Sequence, residues 1–213
     1  MPRILVFGDS IVWGAGDLER GGWVDRFKVY YLNKAKPNEF NEVFNLGNPG
    51  RTSTQILGYY ENEIKTRTKK QYLQTNRIII QLGLNDSRYF YETKKTETSL
   101  SEFKENLIKL IKISKKYIET IVFVGLFPVD ESRSDPVPWS PKIHSFKNEY
   151  ISEYEKVIKQ VCEKEKILFI DIFSEFKRIN YKKLLTDGIH PNAEGHELIF
   201  QIVKKELEKN KII

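Results

Sequence analysis

The chain has 213 residues, 40% of them hydrophobic and 30% charged, which fits one globular domain and excludes a disordered polymer. No run reaches the ~18 apolar residues of a membrane span, a single cysteine excludes a disulfide or a cysteine metal cluster, and an apolar run beginning at Ile4 leaves no room for a secretory leader, so a cytoplasmic location is expected. The net charge of +6 is scattered over pairs such as Lys69-Lys70, Lys94-Lys95, Lys115-Lys116, Lys182-Lys183 and Lys204-Lys205, which reads as solvated surface with no nucleic-acid partner.

The first predicted strand, residues 4–7, runs into Gly8-Asp9-Ser10-Ile11. Weak helical periodicity follows over 22–34, then a second strand over 43–46 that ends at Asn48-Pro49-Gly50-Arg51-Thr52. Another weak helix over 52–68 leads to a third strand, 78–82, followed by Gly83-Leu84-Asn85-Asp86. The connection 87–98 is long and carries Tyr89, Phe90 and Tyr91. Phe103, Leu107, Leu110 and Ile111 line one face of a helix over 100–117, for which Ser99 and Glu102 form a capping-box start.

A fourth strand over 121–126 opens into a second long connection, 128–143, which is proline-rich and contains Trp139. Both long connections leave strand carboxyl ends, so Tyr89, Tyr91 and Trp139 are candidate substrate-rim residues. A helix is expected from His144 to residue 164, with Cys162 on its apolar face as a core side chain. The fifth strand spans 167–172, Asp187-Gly188-Ile189-His190 follows, and Asn192 caps a last helix over 193–209. Trp13 and Trp23 are expected to pack beneath the first loop, and His196 to face the last helix's packing surface or solvent.

Continuous apolar strands alternating with helices predict an α/β single domain of three layers. Its centre is a flavodoxin-like, five-stranded parallel sheet of order 2-1-3-4-5 with right-handed crossovers. Ligands bind such sheets outside the strand carboxyl ends, near the point where strand order reverses. Ser10, Gly50 and Asn85 each lie just past one of three neighbouring strands, and Asp187 and His190 just before the last helix.

Those residue types suit acyl transfer. A serine hydroxyl is a weak nucleophile unless a base takes its proton, and histidine titrates near neutral pH. Asp187 can hold the other ring nitrogen of His190 and fix its tautomer. The Ser10 and Gly50 backbone N–H groups and the Asn85 amide are candidate oxyanion donors. Each turn alone is ordinary turn chemistry, and Asp86 alone would serve as a helix cap. What turn chemistry leaves unexplained is their joint order at one sheet edge.

These blocks resemble the SGNH hydrolase superfamily, the GDSL esterases and lipases, over essentially the whole chain. Gly-Asp-Ser-Ile with Gly14, Gly50, Gly83-Leu84-Asn85-Asp86 and Asp187-Gly188-Ile189-His190 match its four blocks in order. Ile11 replaces the commoner leucine, and Gly47 competes with Gly50 for the second block; the Arg-Thr-Ser that follows Gly50 selects it. The resemblance implies nucleophile Ser10, base His190, partner Asp187, an oxyanion hole of Ser10, Gly50 and Asn85, and no metal or cofactor. The expected activity is hydrolysis of small-molecule esters of small to medium acyl groups. A thioesterase, a carbohydrate (acetyl) esterase and a non-catalytic binding module are the alternatives on the same scaffold. A phosphatase using Asp9 as nucleophile with Mg²⁺ would need a second aspartate where Ile11 stands.

Overall fold

The computed structural model describes residues 2–36, 40–68 and 76–213, which leaves the Lys69-Lys70 pair outside the described residues. Along the chain run β1 (Arg3–Gly8), α1 (Ser10–Trp13), α2 (Trp23–Asn33), β2 (Glu42–Gly47), α3 (Ser53–Arg67) and β3 (Arg77–Gln81). Next come β4 (Tyr89–Phe90), β5 (Lys95–Thr96), α4 (Leu100–Ser114), β6 (Thr120–Val124), α5 (Glu131–Ser134) and β7 (His144–Ser145). Then follow α6 (Asn148–Glu165), β8 (Leu168–Ile170), α7 (Phe173–Lys177) and α8 (Ala193–Lys209).

Five strands pair in parallel in the order β2-β1-β3-β6-β8, which is 2-1-3-4-5 among the strands of that sheet. Ile4 to Phe7 and Ile78 to Ile80 are fully buried, because helices cover both faces. The chain runs outward from β1 to β2, then turns back to β3, and the right-handed rule sends the crossovers to opposite faces. Accordingly α2 packs with α8, while α3, α4 and α6 pack side by side. Trp23, Phe27, Ile199 and Val203 are buried from the first pair; Tyr60, Leu107 and Ile158 are buried from the other three. The order reverses between β1 and β3, so Ser10 and Asn85 flank the switch point.

Helix starts follow local chemistry, with one exchange. Ser99 accepts from the Glu102 N–H at 3.2 Å, but the Glu102 carboxylate turns away and accepts from Thr54 Oγ1 at 3.0 Å. The complete capping box belongs instead to Thr52 and Gln55 at the head of α3. Asn192 accepts from the Gly195 N–H at 2.9 Å and starts α8 as expected.

The expected helix from His144 begins only at Asn148, because His144 and Ser145 are drawn into β7. There β4 pairs antiparallel with both β5 and β7, so the two long connections knit into a small sheet. Tyr154 of α6 anchors it from below by donating to the Thr98 carbonyl. Cys162 is buried in the core, and burial pushes its thiol up to about 12. Trp23 is buried as expected, whereas Trp13 is not: it is 57% exposed, outside the packing beneath the first loop. No helix among the described residues is long and apolar enough to cross a membrane.

Candidate active site

Ser10 sits in the turn where β1 gives way to α1, and Asp9 caps that short helix by accepting from the Ile11 N–H at 3.0 Å. The cap fixes the Ser10 side chain toward the last turn of the chain before α8. Ser10 Oγ lies 3.0 Å from His190 Nε2, and His190 Nδ1 lies 2.6 Å from Asp187 Oδ2. A carboxylate can only accept, so Nδ1 carries the ring proton and donates it to Asp187. The Nε2 lone pair then faces the serine, whose hydroxyl donates to it.

Asp187 is itself held by its own turn. Its Oδ1 accepts from the N–H groups of Ile189 at 2.9 Å and His190 at 2.8 Å. Burial would raise its pKa, but the His190 ring and these two N–H groups outweigh burial and hold it at about 2. Arg133 of α5 clamps the same turn by donating to the Leu185 and Thr186 carbonyls.

Gly50 and Asn85 join Ser10 and His190 in one cleft of about 320 Å³. Gly50 has φ 75°, a left-handed conformation that favours glycine, and a Cβ there would meet no protein atom within 4 Å. Its glycine character therefore answers to backbone conformation rather than to crowding by the protein. Gly47, the competing position, sits at the end of β2, where a Cβ would lie 2.2 Å from the Trp13 nitrogen. It packs the sheet and does not line the cleft.

Asn85 Nδ2 donates to Asp9 Oδ2 at 3.1 Å and to the Arg51 carbonyl at 3.3 Å, so both amide hydrogens have partners. Burial pushes Asp9 up to about 6, against the lowering effect of the Ile11 N–H. Asp86 points away from the cleft and accepts from the Ser53 N–H and hydroxyl at the head of α3, a tertiary contact to a helix whose own cap is Thr52. Asp9, Asp86 and Asp187 thus each serve a different partner, and no acidic cluster that could hold a metal ion occurs among the described residues.

Trp139 lines the cleft, but Tyr89 and Tyr91 do not. Tyr89 stacks on Tyr150 with ring centroids 5.1 Å apart and meets Tyr91 edge-on at 5.4 Å, while Tyr91 donates to Asp135. The pairing of β4 commits these rings to holding the small sheet together. Sequence reasoning missed Arg88, His144 and Phe146, which line the cleft with Leu84, Val137 and Ile189. Arg88 lies in the first long connection, which was a signal for it, whereas His144 and Phe146 fall just past the second, inside the expected helix, and carried none. His196 is fully buried; Nδ1 accepts from the Trp23 N–H at 3.2 Å and Nε2 donates to the Ala15 carbonyl at 3.0 Å, so it fastens α8 to the first loop.

An acetylxylan esterase of Geobacillus stearothermophilus is 23% identical over 96% of this chain and 93% of its own. An isoamyl acetate-hydrolyzing esterase of Saccharomyces cerevisiae is also 23% identical, over 97% of this chain and 86% of its own. A lipase/acylhydrolase from Enterococcus faecalis shares the fold, with TM-score 0.74, 24% identity, and coverage of 99% of this chain and 97% of that one. The family model for GDSL-like lipase/acylhydrolase matches residues 4–203, and the chain belongs to that family of ester-hydrolysing enzymes.

Proposed function

We propose that the chain is a serine esterase that cleaves carboxylic esters of small to medium acyl groups through an acyl-enzyme. The observation that carries this reading is the relay from Ser10 through His190 to Asp187, at 3.0 and 2.6 Å. As Ser10 Oγ bonds to the ester carbonyl carbon, its proton passes to His190 Nε2 and the carbonyl π electrons move onto oxygen. The N–H groups of Ser10 and Gly50, which have no backbone acceptor among the described residues, are the first donors to that oxyanion. Asn85 joins them by giving up its longer bond to the Arg51 carbonyl, while Asp9 keeps the amide oriented.

Collapse of the intermediate breaks the bond to the alcohol, which leaves with the proton from His190. Water then attacks the acyl-serine with His190 again as base, releasing the acid and restoring the Ser10 hydroxyl. Asp187, ionised at neutral pH, stabilises the imidazolium in both halves. The cleft volume of about 320 Å³ is at the low end for ligand sites and supports short acyl chains.

A carbohydrate (acetyl) esterase is the second reading. Trp139, 53% exposed at the cleft, offers a stacking face for a sugar ring, and one relative is named an acetylxylan esterase. The direct test is p-nitrophenyl acetate hydrolysis by Ser10→Ala, expected to fall on the order of 10⁴-fold or more in kcat. Retained activity would overturn the assignment of the nucleophile.

A further inference from the structure

His144 and Arg88 are the ionisable residues of the cleft outside the relay, and both come from the small sheet region that closes over it. His144 is buried, with its ring between Phe90 and Phe146 at centroid distances of 5.5 and 5.8 Å. Its Nδ1 lies 3.1 Å from the Lys142 carbonyl and 3.0 Å from Ser140 Oγ. A carbonyl only accepts, so Nδ1 carries the proton and Nε2 is left as a bare lone pair. No group among the described residues bonds Nε2. Burial and the Arg88 charge hold the pKa of His144 below its ordinary value, which keeps the ring neutral and Nε2 an acceptor.

Arg88 supplies the opposite polarity. Its Nη2 donates to Glu97 at 2.9 Å and its guanidinium lies 5.3 Å above the Phe90 ring, so its position is fixed. Nε is buried with no hydrogen-bond partner among the described residues. Glu97 already balances the charge, which leaves Arg88 as a hydrogen-bond donor more than a cation for an anionic ligand. A carboxylate ligand would also face the His144 lone pair with nothing to donate. A hydroxyl group satisfies both, donating to Nε2 and accepting from the guanidinium.

We propose that His144 and Arg88 form a recognition pair for the hydroxyl groups of the ester's alcohol portion, and that the cleft takes esters of polyhydroxylated alcohols, chemically acylated sugars. The inference rests on the esterase reading, decides for its acylated-sugar form, and adds the residues that select it. Buried polar groups left unpaired by the wrong substrate give the discrimination.

The test compares two acetates of the same shape, methyl 6-O-acetyl-glucopyranoside and cyclohexylmethyl acetate, as a ratio of kcat/KM values. In the unmodified protein the ratio should favour the sugar. In His144→Phe it should fall about tenfold, the worth of one hydrogen bond to a buried partner. His144→Gln returns an acceptor and should recover most of the ratio. Arg88→Gln should lower it as well, and serves if the phenylalanine variant does not fold by circular dichroism. A ratio unchanged in the variants, with both substrates losing rate together, would make the pair structural and overturn the inference. Hydrolysis of cyclohexylmethyl acetate but not of the sugar ester would overturn it too, while leaving the esterase reading intact. Hydrolysis of neither acetate, nor of p-nitrophenyl acetate, would instead remove the esterase reading and this inference with it.

Discussion

Two carboxylates near the sheet's carboxyl edge sit in opposite states. Asp187 accepts three N–H groups, is partly open to solvent, and is held at about 2. Glu155, on α6, is buried; its Oε2 accepts from the Leu126 N–H at 2.7 Å, Oε1 has no partner among the described residues, and burial pushes it up to about 8. Asp9 falls between them, with two donors, full burial and a value of about 6. Among these three carboxylates, the one with the most donors and the most solvent keeps its charge most firmly, and the one with a single donor gives it up. The edge at Asp187 is rich in donors because its turn aims backbone N–H groups at the carboxylate, whereas the β6–α6 contact offers only one.

The largest effect expected from this contrast lies on the donor-rich side. Asp187→Asn keeps the shape but presents an amide N–H in place of an acceptor, so His190 loses the partner that fixes its tautomer. The loss in kcat should be on the order of 10⁴-fold, measured on p-nitrophenyl acetate. A drop of tenfold or less would mean that the backbone turn alone orients His190. Next comes Asn85→Ala, which removes one of the three proposed oxyanion donors and should cost roughly 10²–10³-fold in kcat. KM should change little, because the donor acts on charge that develops during attack. An effect confined to KM would place Asn85 in ground-state binding.

The donor-rich side was also the more legible in sequence. Asp-Gly-Ile-His and Gly-Asp-Ser-Ile are local turns whose side chains bond within a few residues, and the five strands showed as unbroken apolar runs. The small sheet was not legible. Its strands are two residues long and pair β4 with β7 across more than fifty positions, so no periodicity marks them. That pairing took His144 out of the expected helix and into the cleft, and turned Tyr89 and Tyr91 away from it. Glu155 was equally hidden. It sits on an amphipathic helix among other charged residues, and only the folded chain shows it to face inward, through its burial, the Leu126 N–H on Oε2 and the close approach of Gly125.

The smallest effect tests the donor-poor side. Glu155 has a folded-state value of about 8 against an ordinary 4.5. Below pH 4.5 it is neutral in both folded and unfolded chains and costs nothing. As pH rises above that, the unfolded chain releases its proton while the folded chain retains it, so stability falls until the folded group also ionises near pH 8. At ~1.4 kcal/mol per unit of pKa difference, the accumulated penalty reaches a few kcal/mol. Glu155→Gln cannot titrate and should lack this slope, whatever its offset from the amide's own hydrogen bonding. Urea unfolding of both proteins at pH 5 and pH 8 reads the difference directly. The variant should gain on the unmodified protein by roughly 3 kcal/mol between those two pH values. Parallel pH dependence in the two proteins would show that Glu155 ionises in the fold at its ordinary value, with water or a shift of α6 supplying the donor that Oε1 lacks.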